Sequence, residues 1–190
     1  MSRPLIFLTH AEVAIDPALP VPDWGLTETG RARHADFARD PALKGVSAIY
    51  CSAERKAREG AAIHGEALGL DPVVVTALHE NDRSATGYLP AEEFEATADR
   101  FFAAPDNPVR GWESARAAQA RIVAALRTVG ELDATGGPLL IVSHGAVGAL
   151  LRCHLKGREI TRAEDQPAGG GCWFATDTTL EQAPQDWSRI

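Results

Sequence analysis

The sequence predicts an α/β fold, a three-layer α/β/α sandwich built on a mainly parallel sheet. Three observations carry this reading. Short apolar runs recur along the chain, near residues 4–9, 46–51, 72–76 and 138–143. Segments with apolar residues at helical spacing lie between them, and glycine, proline and hydroxyl residues mark the boundaries. Strands alternating with helices assemble into a parallel sheet covered on both faces.

Pro4 to Thr9 reads as a buried strand that ends at His10. Residues 11–26 contain three prolines and a glycine with little periodicity, which predicts a loop. Thr27 is placed to cap a helix running to about Arg39, and Asp40-Pro41 ends it. Val46 to Cys51 reads as the second strand, followed by Ser52 as a cap. Ala53, Ala57, Ala61 and Leu68 then recur at helical spacing, and Gly69 is the stop. Pro72 to Thr76 reads as the third strand and residues 79–90 as a polar loop.

A helix begins near Pro90, where Glu92 and Glu93 favour the first turn; Phe94, Ala98, Phe101 and Phe102 form its stripe. Pro105 and Pro108 break the chain. Trp112 to Val129 is the clearest helix, with Ala115, Ala118, Ile122, Leu126 and Val129 on one face and Gly130 as the expected stop. Pro138 to Ser143 is the fourth strand. Ala146 to Lys156 is the next helix, closed by Gly157, and Cys172 to Thr176 is a final strand.

Composition bounds the function. A chain of 190 residues suits one domain, residues 1–190, and is long enough for its own core. The net charge of -7, from 26 acidic and 19 basic side chains, argues against nucleic acid as a partner. The apolar runs are far short of the ~20 residues that span a bilayer, so no membrane role is expected. Cys51, Cys153 and Cys172 are widely spaced and odd in number, which suggests free thiols and a cytoplasmic setting. Leu5 to Leu8 is too short an apolar stretch for a secretory signal.

In parallel α/β sheets, chemistry gathers at the carboxyl ends of the strands. His10 follows the first strand, Ser52 to Lys56 follow the second, and His144 follows the fourth. The loop carrying Glu80 reaches the same edge.

These segments resemble the histidine phosphatase superfamily, the phosphoglycerate-mutase-like group. Leu8-Thr9-His10-Ala11-Glu12 is similar to a strand-end motif that usually reads R-H-G-E. Leu26-Thr27-Glu28-Thr29-Gly30 resembles the L-T-x-x-G helix start, and residues 51–57 (C-S-A-E-R-K-A) resemble S-S-P-L-x-R-A. Leu78-His79-Glu80 resembles L-x-E, and Val142-Ser143-His144-Gly145 matches the second-histidine motif. The resemblance implies hydrolysis of a small phosphorylated substrate through phosphohistidine, without cofactor or metal. It implies His10 as nucleophile, His144 as the second histidine and Glu80 as the acid.

The expected phosphate-binding set is Thr9, Lys56 and Gly145 at pattern positions, with Arg83 as a nearby cation. Thr9 stands where the pattern has its first arginine, Ala11 where it has glycine and Lys56 where it has its second arginine. Lysine keeps a charge without the bidentate fork, and threonine keeps only a hydroxyl. Losing one preorganised donor costs about 10²–10³ in rate. Arg83, three residues past Glu80, is a compensating cation, with Arg158 and Arg162 more remote. The glycines at 169–171 read either as a backbone nest for an anion or as a turn. His34, His64, His79 and His154 read as structural or surface residues. Two classes stay open: an active phosphatase, and a phosphate-binding or regulatory module that keeps anion affinity without turnover.

Overall fold

β1 (Pro4–Thr9) and β4 (Leu139–Ser143) pair in parallel at the middle of a six-stranded sheet. The computed structural model describes residues 2–190. Strand order is β3-β2-β4-β1-β5-β6, with β2 at Ala48–Cys51, β3 at Val73–Val74, β5 at Cys172–Asp177 and β6 at Ser188–Arg189. β1 to β4 run parallel, whereas β5 and β6 are antiparallel additions at one edge.

Alternation along the central strands explains the layers. Leu5 and Phe7 of β1, with Leu139 and Ile141 of β4, face one core; Ile6, Leu8, Leu140 and Val142 face the other. The first core is closed by α3 (Ala91–Ala103), α4 (Ala115–Leu132) and α5 (Gly145–Leu155). The second is closed by α1 (Glu28–Phe37) and α2 (Arg55–Leu68). Both faces of these strands are therefore apolar, as a doubly covered parallel sheet requires.

Several boundaries differ from expectation, each for a visible reason. Thr27 caps α1 through Gly30 N–H as anticipated. Ser52 does not cap α2: that helix starts at Arg55, and the Ser52 hydroxyl instead meets the Glu54 amide and His144. β3 shrinks to two exposed residues at the sheet edge. α4 is capped by Ser114 and runs through Gly130, where a Cβ would sit 2.9 Å from Thr178 O; close packing, not helix termination, uses that glycine. β6 has no apolar pattern to betray it. No helix among the described residues is long and apolar enough to cross a membrane.

Candidate active site

The register of the two central strands creates the site. Thr9 of β1 pairs with Ser143 of β4, so the next residues, His10 and His144, emerge side by side. Their rings lie edge to face with centroids 5.2 Å apart. The ladder continues one step further, with His10 N–H donating to Ser143 O at 3.1 Å.

The His10 tautomer follows from its hydrogen bond. Nδ1 lies 2.9 Å from Ala11 O, a carbonyl that only accepts, so Nδ1 carries the hydrogen and Nε2 keeps its lone pair. Burial, reinforced by Lys56, lowers the His10 pKa from 6.5 to about 4. The ring is therefore neutral near pH 7. His144, fully buried, is also held neutral, chiefly by burial, with Glu54 opposing. Its Nε2 meets Ser52 Oγ at 2.8 Å and lies 3.5 Å from Glu54 Oε1.

Glu80 arrives from the other side of the sheet edge. Ser143 Oγ donates to Leu78 O at 2.8 Å, and Arg121 of α4 donates to the carbonyls of Ala77, His79 and Glu80. These contacts deliver the Glu80 carboxyl to the start of α5, where Ala146 N–H donates to Oε2 and Val147 N–H to Oε1. Burial raises the Glu80 pKa, against the pull of Arg83 and the α5 amides.

The expected anion-binding residues divide. Arg83 borders every cavity around the site: an inner one of about 390 Å³, an outer one of about 300 Å³ and a flanking one of about 510 Å³. Its guanidinium lies 5.1 Å from the Phe94 ring centre and 5.8 Å from that of Trp112, and it makes no salt bridge among the described residues. Lys56 lines the outer cavity, but its ammonium donates to Glu54 and to Val21 O. Thr9 is fully buried and borders none of these cavities; its hydroxyl turns to Gln166 and Cys172. Gly145 opens α5 and lines the inner cavity.

The glycine run is a fitted turn. Gly170 has φ +62°, and a Cβ there would sit 2.7 Å from His10 O. Gly171 N–H donates to that same carbonyl at 2.8 Å, and Arg33 grips the carbonyls of Gly169, Gly170 and Gly171. The run thus braces the backbone of His10. Arg158 and Arg162 lie in ion pairs with Glu164 and with Glu95 and Asp99. Glu12 joins the loop to α1, accepting from Thr27 Oγ1 at 2.8 Å.

Sequence reasoning missed Glu54 and Gln166, whereas His34 and His64, read as structural or surface residues, form a buried pair. Glu54 had a signal, because it is a charge where the S-S-P-L-x-R-A pattern has leucine. Its carboxyl accepts from the Glu80 amide at 2.9 Å and from Lys56. Burial pushes its pKa up, but the Lys56 ammonium and the hydrogen bonds from Lys56 and the Glu80 amide prevail and hold it ionised.

Fold and site together describe an α/β protein with paired histidines, His10 and His144, at the carboxyl edge of a parallel sheet. Residues 5–182 match the histidine phosphatase superfamily (branch 1), and the chain belongs to that family. No curated protein sequence matches it. Among solved structures it is similar to mycobacterial glucosyl-3-phosphoglycerate phosphatase, with 20% identity over 99% of this chain and 97% of that one, at TM-score 0.76. The complex of that mycobacterial phosphatase with inorganic phosphate matches at 22% identity, 98% and 94% coverage and TM-score 0.76. YhfR of Bacillus stearothermophilus matches at 23% identity, 91% and 90% coverage and TM-score 0.75.

Proposed function

We propose that this protein hydrolyses a small phosphomonoester through a phosphohistidine at His10. The observation that carries the reading is the neutral His10 ring, with Nδ1–H fastened to Ala11 O and Nε2 free beside His144 and Arg83. A neutral imidazole nitrogen is a competent nucleophile near pH 7. The Nε2–P bond forms as the ester P–O bond breaks. Glu80, with its raised pKa, gives its proton to the leaving oxygen. Water then attacks the phosphohistidine, Glu80 takes up a proton from it, and phosphate leaves with His10 restored. Arg83 and the α5 start at Gly145 supply positive potential for the equatorial oxygens. Phosphate and vanadate complexes of the mycobacterial phosphatase support an anion site of this kind. Buried free thiols at Cys51, Cys153 and Cys172 support a reducing, cytoplasmic setting.

A second reading, an anion-binding module with little turnover, is favoured by one observation: Glu54 occupies the ammonium of Lys56. Turnover of p-nitrophenyl phosphate across a pH range, with His10→Ala as control, separates the two. The phosphatase reading expects a clear rate that the variant loses, and an acid-labile, base-stable phosphoryl label on His10 under rapid quench. Equal background rates in both proteins would reject it in favour of the module.

A further inference from the structure

Thr9 stands where the family pattern has an arginine, and its surroundings account for the change. Cys172 N–H donates to Thr9 Oγ1 at 2.9 Å, so the hydroxyl hydrogen points elsewhere. Its shortest neighbour is Gln166, at 2.6 Å, against 3.2 Å to Cys172 O. A separation of 2.6 Å suits O–H···O and is short for N–H···O, which assigns the near amide atom of Gln166 as Oε1. The Nε2 end therefore faces away from Thr9. It lies over the first residue of α5: a Cβ on Gly145 would come within 2.4 Å of Nε2. Gln166 is only partly buried, borders both the inner and outer cavities beside His10 and Arg83, and finds no acceptor for Nε2 among the described residues.

We infer that Gln166, anchored by Thr9, donates its side-chain N–H groups to a phosphoryl oxygen bound at His10, a neutral substitute for the missing arginine. The inference rests on the phosphatase reading above. Thr9 acts through Gln166 as a positioning residue, and the absent Cβ of Gly145 makes room for the amide. A neutral donor also explains how the pocket tolerates Glu54. The phosphoryl group is held by directed hydrogen bonds together with Arg83, rather than by a cluster of cations.

Calorimetric titration with inorganic phosphate tests this in the full chain, with thermal melts to confirm folding. Gln166→Ala is expected to weaken phosphate binding about tenfold. Gln166→Glu, which faces the phosphate with a like charge, is expected to weaken it more than about a hundredfold. Thr9→Ser, which keeps the hydroxyl, should bind like the parent. Thr9→Val should weaken binding, and Thr9→Val with Gln166→Ala should be no worse than Gln166→Ala alone, because both act through one amide. Phosphate binding by the parent that persists unchanged in both Gln166 variants overturns this inference alone. No phosphate binding by the parent overturns the anion-site reading and this inference together.

Discussion

Glu54 and Lys56 form a buried ion pair at the entrance to α2, two residues apart, with the ammonium also donating to Val21 O at 3.0 Å. The pair neutralises the lysine that would otherwise face an anion in the outer cavity. Glu54→Gln removes the negative charge and frees the lysine. Phosphate affinity should rise by about tenfold, the scale of one unit of charge interaction. Stability should fall by up to about 3 kcal/mol, because one partner of a buried pair has gone. Calorimetry and denaturant unfolding on the same variant read both effects, and an unchanged affinity would mean that phosphate does not sense the pair.

Glu80 is predicted to matter in proportion to the leaving group. Glu80→Gln cannot give a proton, so hydrolysis of alkyl phosphates should fall by about 10²–10⁴. Aryl phosphates should lose much less. The acid form is required, so kcat/KM should decline as pH rises through a Glu80 pKa that lies above 4.5, and the variant should lose that limb. Equal losses for both substrate types would make Glu80 a structural support.

Arg83 lines the cavities beside His10 with no carboxylate paired to it among the described residues. Arg83→Ala should lower kcat/KM by about 10²–10³, the loss of one preorganised donor. Arg83→Lys should recover only part of it, because lysine keeps the charge but loses the guanidinium fork that lies against Phe94 and Trp112. Steady-state kinetics on the two variants decide the matter, and full activity in Arg83→Ala would remove it from the site.

Two buried histidines behind His10 predict acid sensitivity. Ala11 N–H donates to His34 Nε2 at 3.1 Å, so His34 carries its hydrogen on Nδ1 and passes it toward His64 Nε2, 3.1 Å away. Burial lowers His34 from 6.5 to about 3, with His64 adding to it, and lowers His64 to about 4. The unfolded chain binds these protons first. Stability is therefore complete above pH 6.5 and declines as pH falls toward 3–4, by up to about 1.4 kcal/mol per pH unit for each histidine. Denaturant unfolding between pH 7 and 4 should show this slope added to those of His10 and His144, which burial also lowers, and His64→Gln should reduce it. An identical slope in that variant would assign the acid sensitivity elsewhere.

Much of the frame was legible along the chain. Apolar runs set β1, β2 and β4, and helical spacing set α2, α3 and α4, because each signal lies within a few neighbouring residues. The edge strands were only partly legible: β3 was read over residues 72–76 but holds only Val73–Val74, and Ser188–Arg189, which pairs with β5, had no apolar signal. Gly130 misled because a glycine that ends a helix and a glycine that admits Thr178 look the same in sequence.

The sequence by itself determined that His10, His144 and Glu80 belong at one sheet edge, since each sits at or beyond a strand end or its following turn. Only the tertiary structure decided what each does with its hydrogen bonds. Ser52 was legible as a hydroxyl before a helix, yet a fold that sets β2 beside β4 gives that hydroxyl to His144. Thr9 was legible as the strand-end residue before His10, but its partner Gln166 lies 157 residues away. Spacing along a chain reports periodicity and turns; the direction of a buried donor depends on which distant segment packs against it, and that is settled only when the core closes.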